Sequence, residues 1–126
     1  MTLSGPITVL AADDHPLVRE GIGAVLANER DITLVAEAAN GREAIECFRT
    51  HHPEVTLMDL QMPQLSGLDA MITIREEFPA ARIIVLTTYK GDIQALRAIR
   101  AGAAGYLLKS MVRKELADTK IGRAHV

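Results

Sequence analysis

The chain has 126 residues, a net charge of −2 and no break in composition, the profile of one ordinary globular domain. Hydrophobic residues make up 48% and charged residues 24%, a balance that excludes a disordered chain. With 3% aromatics, no Trp and no excess of positive charge, the segment also lacks the platforms and basic surface of a nucleic-acid binder.

Apolar runs alternate with helical patterns along the chain. The run ITVLAA (7–12) predicts a first strand. Pro16 stands at a first helical position, and Val18, Ile22, Val25 and Leu26 mark the inner face of that helix. ITLVAEA (32–38) predicts the second strand. Asn40 suits the N-cap of a helix facing inward through Ala44, Ile45 and Phe48. Pro53 ends that helix and EVTLMD (54–59) forms the third strand. The loop QMPQLSG leads to a helix with Leu68, Met71, Ile72 and Ile74 as its apolar residues. RIIVLTT (82–88) predicts the fourth strand. A helix through Ile93, Leu96 and Ile99 follows and closes at Gly102. GYLLK (105–109) is the fifth strand, and MVRKELADT begins a fifth helix.

Strand-then-helix units in this order predict an α/β fold, a parallel sheet with helices on both faces. The near-continuous apolar strands agree, because a sheet covered on both sides needs no polar face. Units without a shared residue pattern exclude a repeat architecture. No basic-then-apolar leader is present, and the most apolar run, AGAAGYLL, is too short to cross a bilayer; a cytoplasmic location is the expectation. Cys47 has no partner for an internal disulfide and sits beside Phe48, as a structural thiol would.

In open α/β sheets, ligands bind beyond the carboxyl ends of the strands. There the first strand ends in Asp13 and Asp14, the third in Asp59, the fourth in Thr87 and Thr88, and the fifth in Lys109. Singly, each has an ordinary explanation: Asp13 and Asp14 as a helix cap, Asp59 as turn chemistry, Thr87 as a strand residue, Lys109 as a solvated end. Together they form a constellation. Two unit charges ~4 Å apart repel by about 4 kcal/mol at an effective dielectric near 20. Clustered carboxylates must therefore protonate, recruit a lysine or bind a cation, and Lys109 cancels only one charge. A hard divalent ion, Mg²⁺, satisfies the rest. A carboxylate can also act as nucleophile toward a phosphoryl group, with Lys109 and the Thr87 hydroxyl positioned to meet its oxygens.

The segments VLAADDHPLVREGI, VTLMDLQMPQLSGLDA, IIVLTTY and AGAAGYLLKS resemble the signature segments of the response-regulator receiver domain of two-component systems. The forms DDHPLVREG and RAGAAGYLLK resemble the LuxR/NarL-like subgroup, whose receivers precede a helix-turn-helix domain. The resemblance implies a flavodoxin-like fold with strand order 2-1-3-4-5. It makes Asp59 the phosphoacceptor, with Lys109 and Thr87 assisting. Asp13, Asp14, Asp59 and the Gln61 carbonyl become the Mg²⁺ ligands, and Thr87 and Tyr106 the switch pair. Thr88 takes the small position beside the site. The implied role is regulatory rather than enzymatic: the domain takes a phosphoryl group from a sensor histidine kinase and assists its own transfer and dephosphorylation. Its conformational change then controls a transcriptional output. A homodimer would pair through helices one and five or through the face of helix four, strand five and helix five. DNA would be met only through a C-terminal helix-turn-helix domain, and no membrane is implied. Many receivers carry a cis-held Pro after the lysine; here Ser110 follows, so no cis bond is expected.

Other residues invite bland readings. His15 reads as a loop and helix-start residue rather than a magnesium ligand. His51 and His52 suit a helix end. The run REE at 75–77 reads as a solvated helix face. At the end of the chain, Gly122 interrupts the fifth helical pattern, and Ile-Gly-Arg-Ala-His-Val is what the codons of a common sequencing adapter encode. The expectation is a receiver domain over 1–119 with its fifth helix incomplete, and a non-native tail over 120–126 from a truncated gene fragment.

Two other functions fit the fold class. One is a receiver-like interaction module that is never phosphorylated; such modules usually lose an acid, the Thr or the Lys, all present here. The other is a phosphohydrolase with an aspartyl intermediate, which wants a general acid two residues after the nucleophile, where Gln61 stands.

Overall fold

Each apolar run becomes a strand and each of the first four helical patterns a helix in the structure, a computed structural model that describes residues 5–112. In chain order these are β1 (Ile7–Ala12), α1 (Pro16–Ala27), β2 (Ile32–Ala38), α2 (Gly41–His51), β3 (Val55–Asp59), α3 (Gly67–Glu77), β4 (Ile83–Thr87), α4 (Ile93–Arg100) and β5 (Gly105–Leu108). A 3₁₀ turn over Lys109–Met111 follows, so Lys109 stands just past the last strand rather than in it. The expected fifth helix beyond that turn and the expected non-native tail at 120–126 lie outside the described residues.

The strands form one five-stranded sheet in the order β2-β1-β3-β4-β5. Every pairing is parallel. One face packs on α1, where Ile22, Val25 and Leu26 meet Ile7, Val9, Val55 and Leu57. The other carries α2, α3 and α4, through Phe48, Met71, Ile74 and Ala98 against Leu10, Met58, Ile83 and Val85. β3 is buried along its whole length, as a central strand covered on both sides must be. No described helix is long and apolar enough to cross a membrane, and no described peptide bond is cis.

Asn40 and Gly102 stand at helix ends as the sequence predicts. Asn40 accepts from the Glu43 amide, and the Glu43 carboxylate accepts from the Ala39 amide, a reciprocal pair that fixes the start of α2. Ser66 and Asp92 cap α3 and α4 in the same way. Past α4, Gly102 adopts φ +112°, the left-handed geometry that closes a helix. His51 is the last residue of α2, and His52 caps it in the left-handed region, its ring edge-on to Phe48 and Phe78.

Some expectations change. Ile72 is exposed, because the turn of α3 that faces the sheet is set by Ala70, Met71 and Ile74. On α4 the sequence pattern misleads more: Ile93, Leu96 and Ile99 all face outward, and only Ala95 and Ala98 are buried. Alanines let the helix backbone sit close to the sheet, so the larger residues point away. The REE run is solvated at Glu76 and Glu77, as expected, but half-buried Arg75 is not. Arg75 donates to the Ala81 carbonyl at 2.7 Å and packs on Gly102, and Glu77 pairs with Arg49 of α2. The Cys47 thiol, half-buried, donates to the Glu37 carbonyl. Burial, then the nearby Glu43 and Glu46 charges, push its pKa up, which suits a structural thiol.

Candidate functional site

Strand register builds the site. Ala12 lies beside Met58, Asp59 beside Leu86, and Thr87 beside Leu108. The residues at or just past these positions, Asp13, Asp59, Thr87 and Lys109, therefore sit at the ends of successive strands along one edge. Two backbone contacts fix that edge. The Asp13 amide donates to the Ala38 carbonyl at 2.9 Å, and the Gly67 amide donates to the Leu60 carbonyl at 3.0 Å. A Cβ on Gly67 would collide with the Asp59 carbonyl oxygen, so only glycine lets α3 begin this close to β3.

Asp13 is fully buried, Asp59 is 2% exposed and Asp14 is half-buried. Lys109 Nζ lies 3.3 Å from Asp13 Oδ2 and 3.1 Å from Asp59 Oδ2, one cation bridging two buried carboxylates. Neither of those oxygens, nor Asp14 Oδ1, accepts an aligned hydrogen bond from a described residue. Burial and the facing Asp13 charge raise the Asp59 pKa to about 6, against the lowering effect of the Gln61 amide and Lys109. At neutral pH the carboxylate is still mostly ionised. Burial opposes the charge on Lys109, but the Asp59 and Asp13 carboxylates outweigh it and hold the ammonium above its ordinary pKa.

The cluster fits a divalent cation. One ligand atom from each of Asp13, Asp14, His15 and Asp59 falls within 4.8 Å of the others. Oxygen donors, clustered negative charge and buried carboxylate oxygens without aligned donors are what a hard ion such as Mg²⁺ requires. A cavity of ≈ 300 Å³ opens onto the cluster. Asp14, Asp59, Gln61, Thr88, Asp92 and Lys109 are among its lining residues.

Residues 9–120 match the family described as the response regulator receiver domain. The chain belongs to that family. Among curated relatives, this receiver is 43% identical over 112 residues to the uncharacterized transcriptional regulatory protein YxjL of Bacillus subtilis, covering 89% of this chain and 51% of the relative. It is 37% identical over 116 residues to the nitrate/nitrite response regulator protein NarL of Escherichia coli K12, covering 92% of this chain and 54% of the relative. A crystal structure of a LuxR-family two-component response regulator from Aurantimonas sp. SI85-9A1 superposes with a TM-score of 0.84 at 37% identity. That match covers 92% of this chain and 83% of the other. The receiver thus has the LuxR/NarL character its sequence suggested, and it spans about half the length of the curated relatives it matches.

Of the predicted site residues, the structure brings together Asp13, Asp14, Asp59 and Lys109, with Gln61 and Thr88 on the cavity wall. It does not bring the Thr87 hydroxyl to Asp59. That hydroxyl, on a residue 3% exposed, donates to Asp92 Oδ2 at 2.8 Å, with the Tyr89 carbonyl at 3.3 Å. Tyr106 is 46% exposed, facing away from the core.

Sequence reading missed three contributors. Arg19 of α1 donates to the Asp13 carbonyl at 2.6 Å and to Glu37 at 3.1 Å, tying the helix to the acidic turn. His15 begins α1 as expected, but its Nδ1 also turns back to 3.0 Å from Asp13 and 3.1 Å from Asp14. Asp92 caps α4 and accepts from Thr87, a contact that left no local signal in the sequence.

Proposed function

We propose that this receiver is the phospho-accepting domain of a transcriptional response regulator acting in the cytoplasm. A receiver domain implies a histidine kinase partner, and the kinase's phosphohistidine is the phosphoryl donor. The observation that carries the reading is the Asp13–Lys109–Asp59 bridge, a buried carboxylate held beside a fixed ammonium and facing an open cavity.

In the transfer, an Asp59 carboxylate oxygen attacks phosphorus while the phosphorus–nitrogen bond of the donor breaks. The bonding pair leaves with the imidazole nitrogen, and a proton from solvent or the donor ring neutralises it. Asp59 needs no general base, because most of the population is ionised at pH 7. Lys109 is already within ion-pair distance of Asp59, so it meets a phosphoryl oxygen without reorganisation. Asp13, Asp14, Asp59 and the Gln61 carbonyl are the residues that would hold Mg²⁺, which supplies charge neutralisation to the transferring group. The product adds about −1.5 to −2 charges at the strand ends. Thr87 then turns to donate to it, and Tyr106 swings inward into the space vacated.

Output runs through surfaces that the switch alters. The exposed Ile93, Leu96, Ile99 and Tyr106 give the α4–β5 side an apolar face suited to pairing two receivers, with helices one and five as the other candidate pair. DNA contact belongs to a C-terminal helix-turn-helix domain of the kind the regulatory relatives suggest.

The test is incubation of the chain with Mg²⁺ and acetyl phosphate. The expected product is one acid-stable, base-labile phosphate, absent from Asp59→Asn. An unmodified wild-type chain would favour a receiver-like interaction module. Rapid multiple turnover of generic phosphoesters would point to a hydrolase.

A further inference from the structure

The Thr87 contact carries an inference of its own, resting on the phosphoacceptor reading above. We propose that Asp92 is a positioning residue for the switch: a latch that holds the Thr87 hydroxyl away from Asp59 until a phosphoryl group outcompetes it.

Asp92 uses its two carboxylate oxygens for separate tasks. Oδ1 accepts from the Gln94 amide at 2.8 Å and caps α4. Oδ2 accepts from Thr87 at 2.8 Å. Capping alone does not need the second oxygen, since a serine or asparagine caps a helix about as well. Two acceptors lie within reach of the single Thr87 hydroxyl proton, and Asp92 Oδ2 at 2.8 Å is both nearer and more negative than the Tyr89 carbonyl at 3.3 Å, so the proton favours Asp92. That bond is charge-assisted, and the hydroxyl is nearly sealed from water that would otherwise replace it.

The arrangement sets up a competition. A phosphoryl oxygen on Asp59 and the Asp92 carboxylate are both anionic acceptors for one donor. Asp92 also lines the cavity that receives the phosphoryl group, so its charge lies near the incoming negative charge. When Thr87 turns, Asp92 loses a partner at the first turn of α4, a helix of eight residues that buries only Ala95 and Ala98. The start of α4 thereby senses which acceptor holds Thr87.

Asp92→Asn separates the two tasks. Its carbonyl oxygen still caps Gln94, while its amide nitrogen, a donor, replaces the acceptor that faced Thr87. The experiment is titration with beryllofluoride and Mg²⁺, a phosphoryl mimic, followed by NMR of the backbone amides. Asp92→Asn should bind the mimic about tenfold more tightly than wild type, the size of one hydrogen bond to a charged group. The Gln94 amide should keep its exchange protection. In a Thr87→Ala background, the same Asp92 change should give a clearly smaller gain, the part due to relief of charge repulsion alone.

Equal affinity of wild type and Asp92→Asn would overturn the latch. So would a tenfold gain that persists in Thr87→Ala, which would make Asp92 a source of repulsion only. If Asp92→Asn loses Gln94 protection, Asp92→Ser caps through its hydroxyl without a second oxygen and supplies the same comparison. A wild-type chain that never takes up beryllofluoride would sink the phosphoacceptor reading itself, a failure distinct from that of the latch.

Discussion

The two halves of the sheet edge are held by different physics. Around β1 and β3, Asp13 and Asp59 are buried, the α3 backbone closes on Asp59 at Gly67, Arg19 ties the Asp13 carbonyl to Glu37, and Lys109 bridges the two acids. Around β4 and β5, the Thr87 hydroxyl is held chiefly by the Asp92 carboxylate, and α4 lies on the sheet through alanines with Ile93, Leu96 and Ile99 outside. A reactive site needs groups that do not move, because catalysis by positioning is lost over ~1 Å. A switch needs an element that moves cheaply. The receiver places the two side by side, and on the function proposed above a charge added on the rigid side would be felt by the loose side.

The contrast can be broken at several depths. The largest effect is expected at the rigid side's core: Met71→Ala empties a fully buried position on α3 and should cost about 2–5 kcal/mol in chemical denaturation. Gly67→Ala should cost about 1–3 kcal/mol, because a Cβ must displace the Asp59 backbone. It should also slow acetyl-phosphate labelling, which simple destabilisation of a still-folded chain would not do.

Asp59→Asn should go the other way. Because the folded state raises the Asp59 pKa to about 6 from 3.8, native protein binds more protons than unfolded protein between those values. Stability of the metal-free wild type should therefore fall as pH rises from about 4 to about 6 and stay lowered above that. Asp59→Asn should remove this loss and gain on the order of 1–2 kcal/mol at pH 7, allowing for solvent screening. A variant no more stable than wild type at pH 7 would mean that Asp59 is not held against its own charge. Saturating Mg²⁺ should shrink the difference by stabilising the wild type.

The smallest effect is expected at the loose side. Leu96→Ala removes a side chain 53% exposed on α4 and should change monomer stability by less than about 0.5 kcal/mol. If it costs as much as Met71→Ala, α4 is anchored as firmly as α3 and the contrast fails.

Much of this was legible along the chain. The apolar runs gave the strands to within a residue at most ends, since an interior strand must be apolar throughout. Asn40 announced its helix, and the strand-end residues Asp13, Asp59 and Lys109 announced a site, because a parallel sheet gathers carboxyl ends at one edge. The faces of α4 were not legible: periodicity marks an apolar stripe but does not say whether the stripe or the alanines beside it meet the sheet. Arg75 illustrates the same gap, since a charged residue in an REE run reads as solvated until a carbonyl is found within its reach.

The sequence by itself determined the order of elements, the central burial of β3 and the chemical types available at the sheet edge, because these depend on local pattern and on desolvation cost. Only the tertiary structure decided which partner each polar atom takes. That Lys109 bridges Asp13 and Asp59, while Thr87 turns to Asp92, depends on distances between residues far apart in the chain. Such pairings are set by packing, and a hydroxyl with two acceptors in reach carries no mark in its own sequence of which one it will choose.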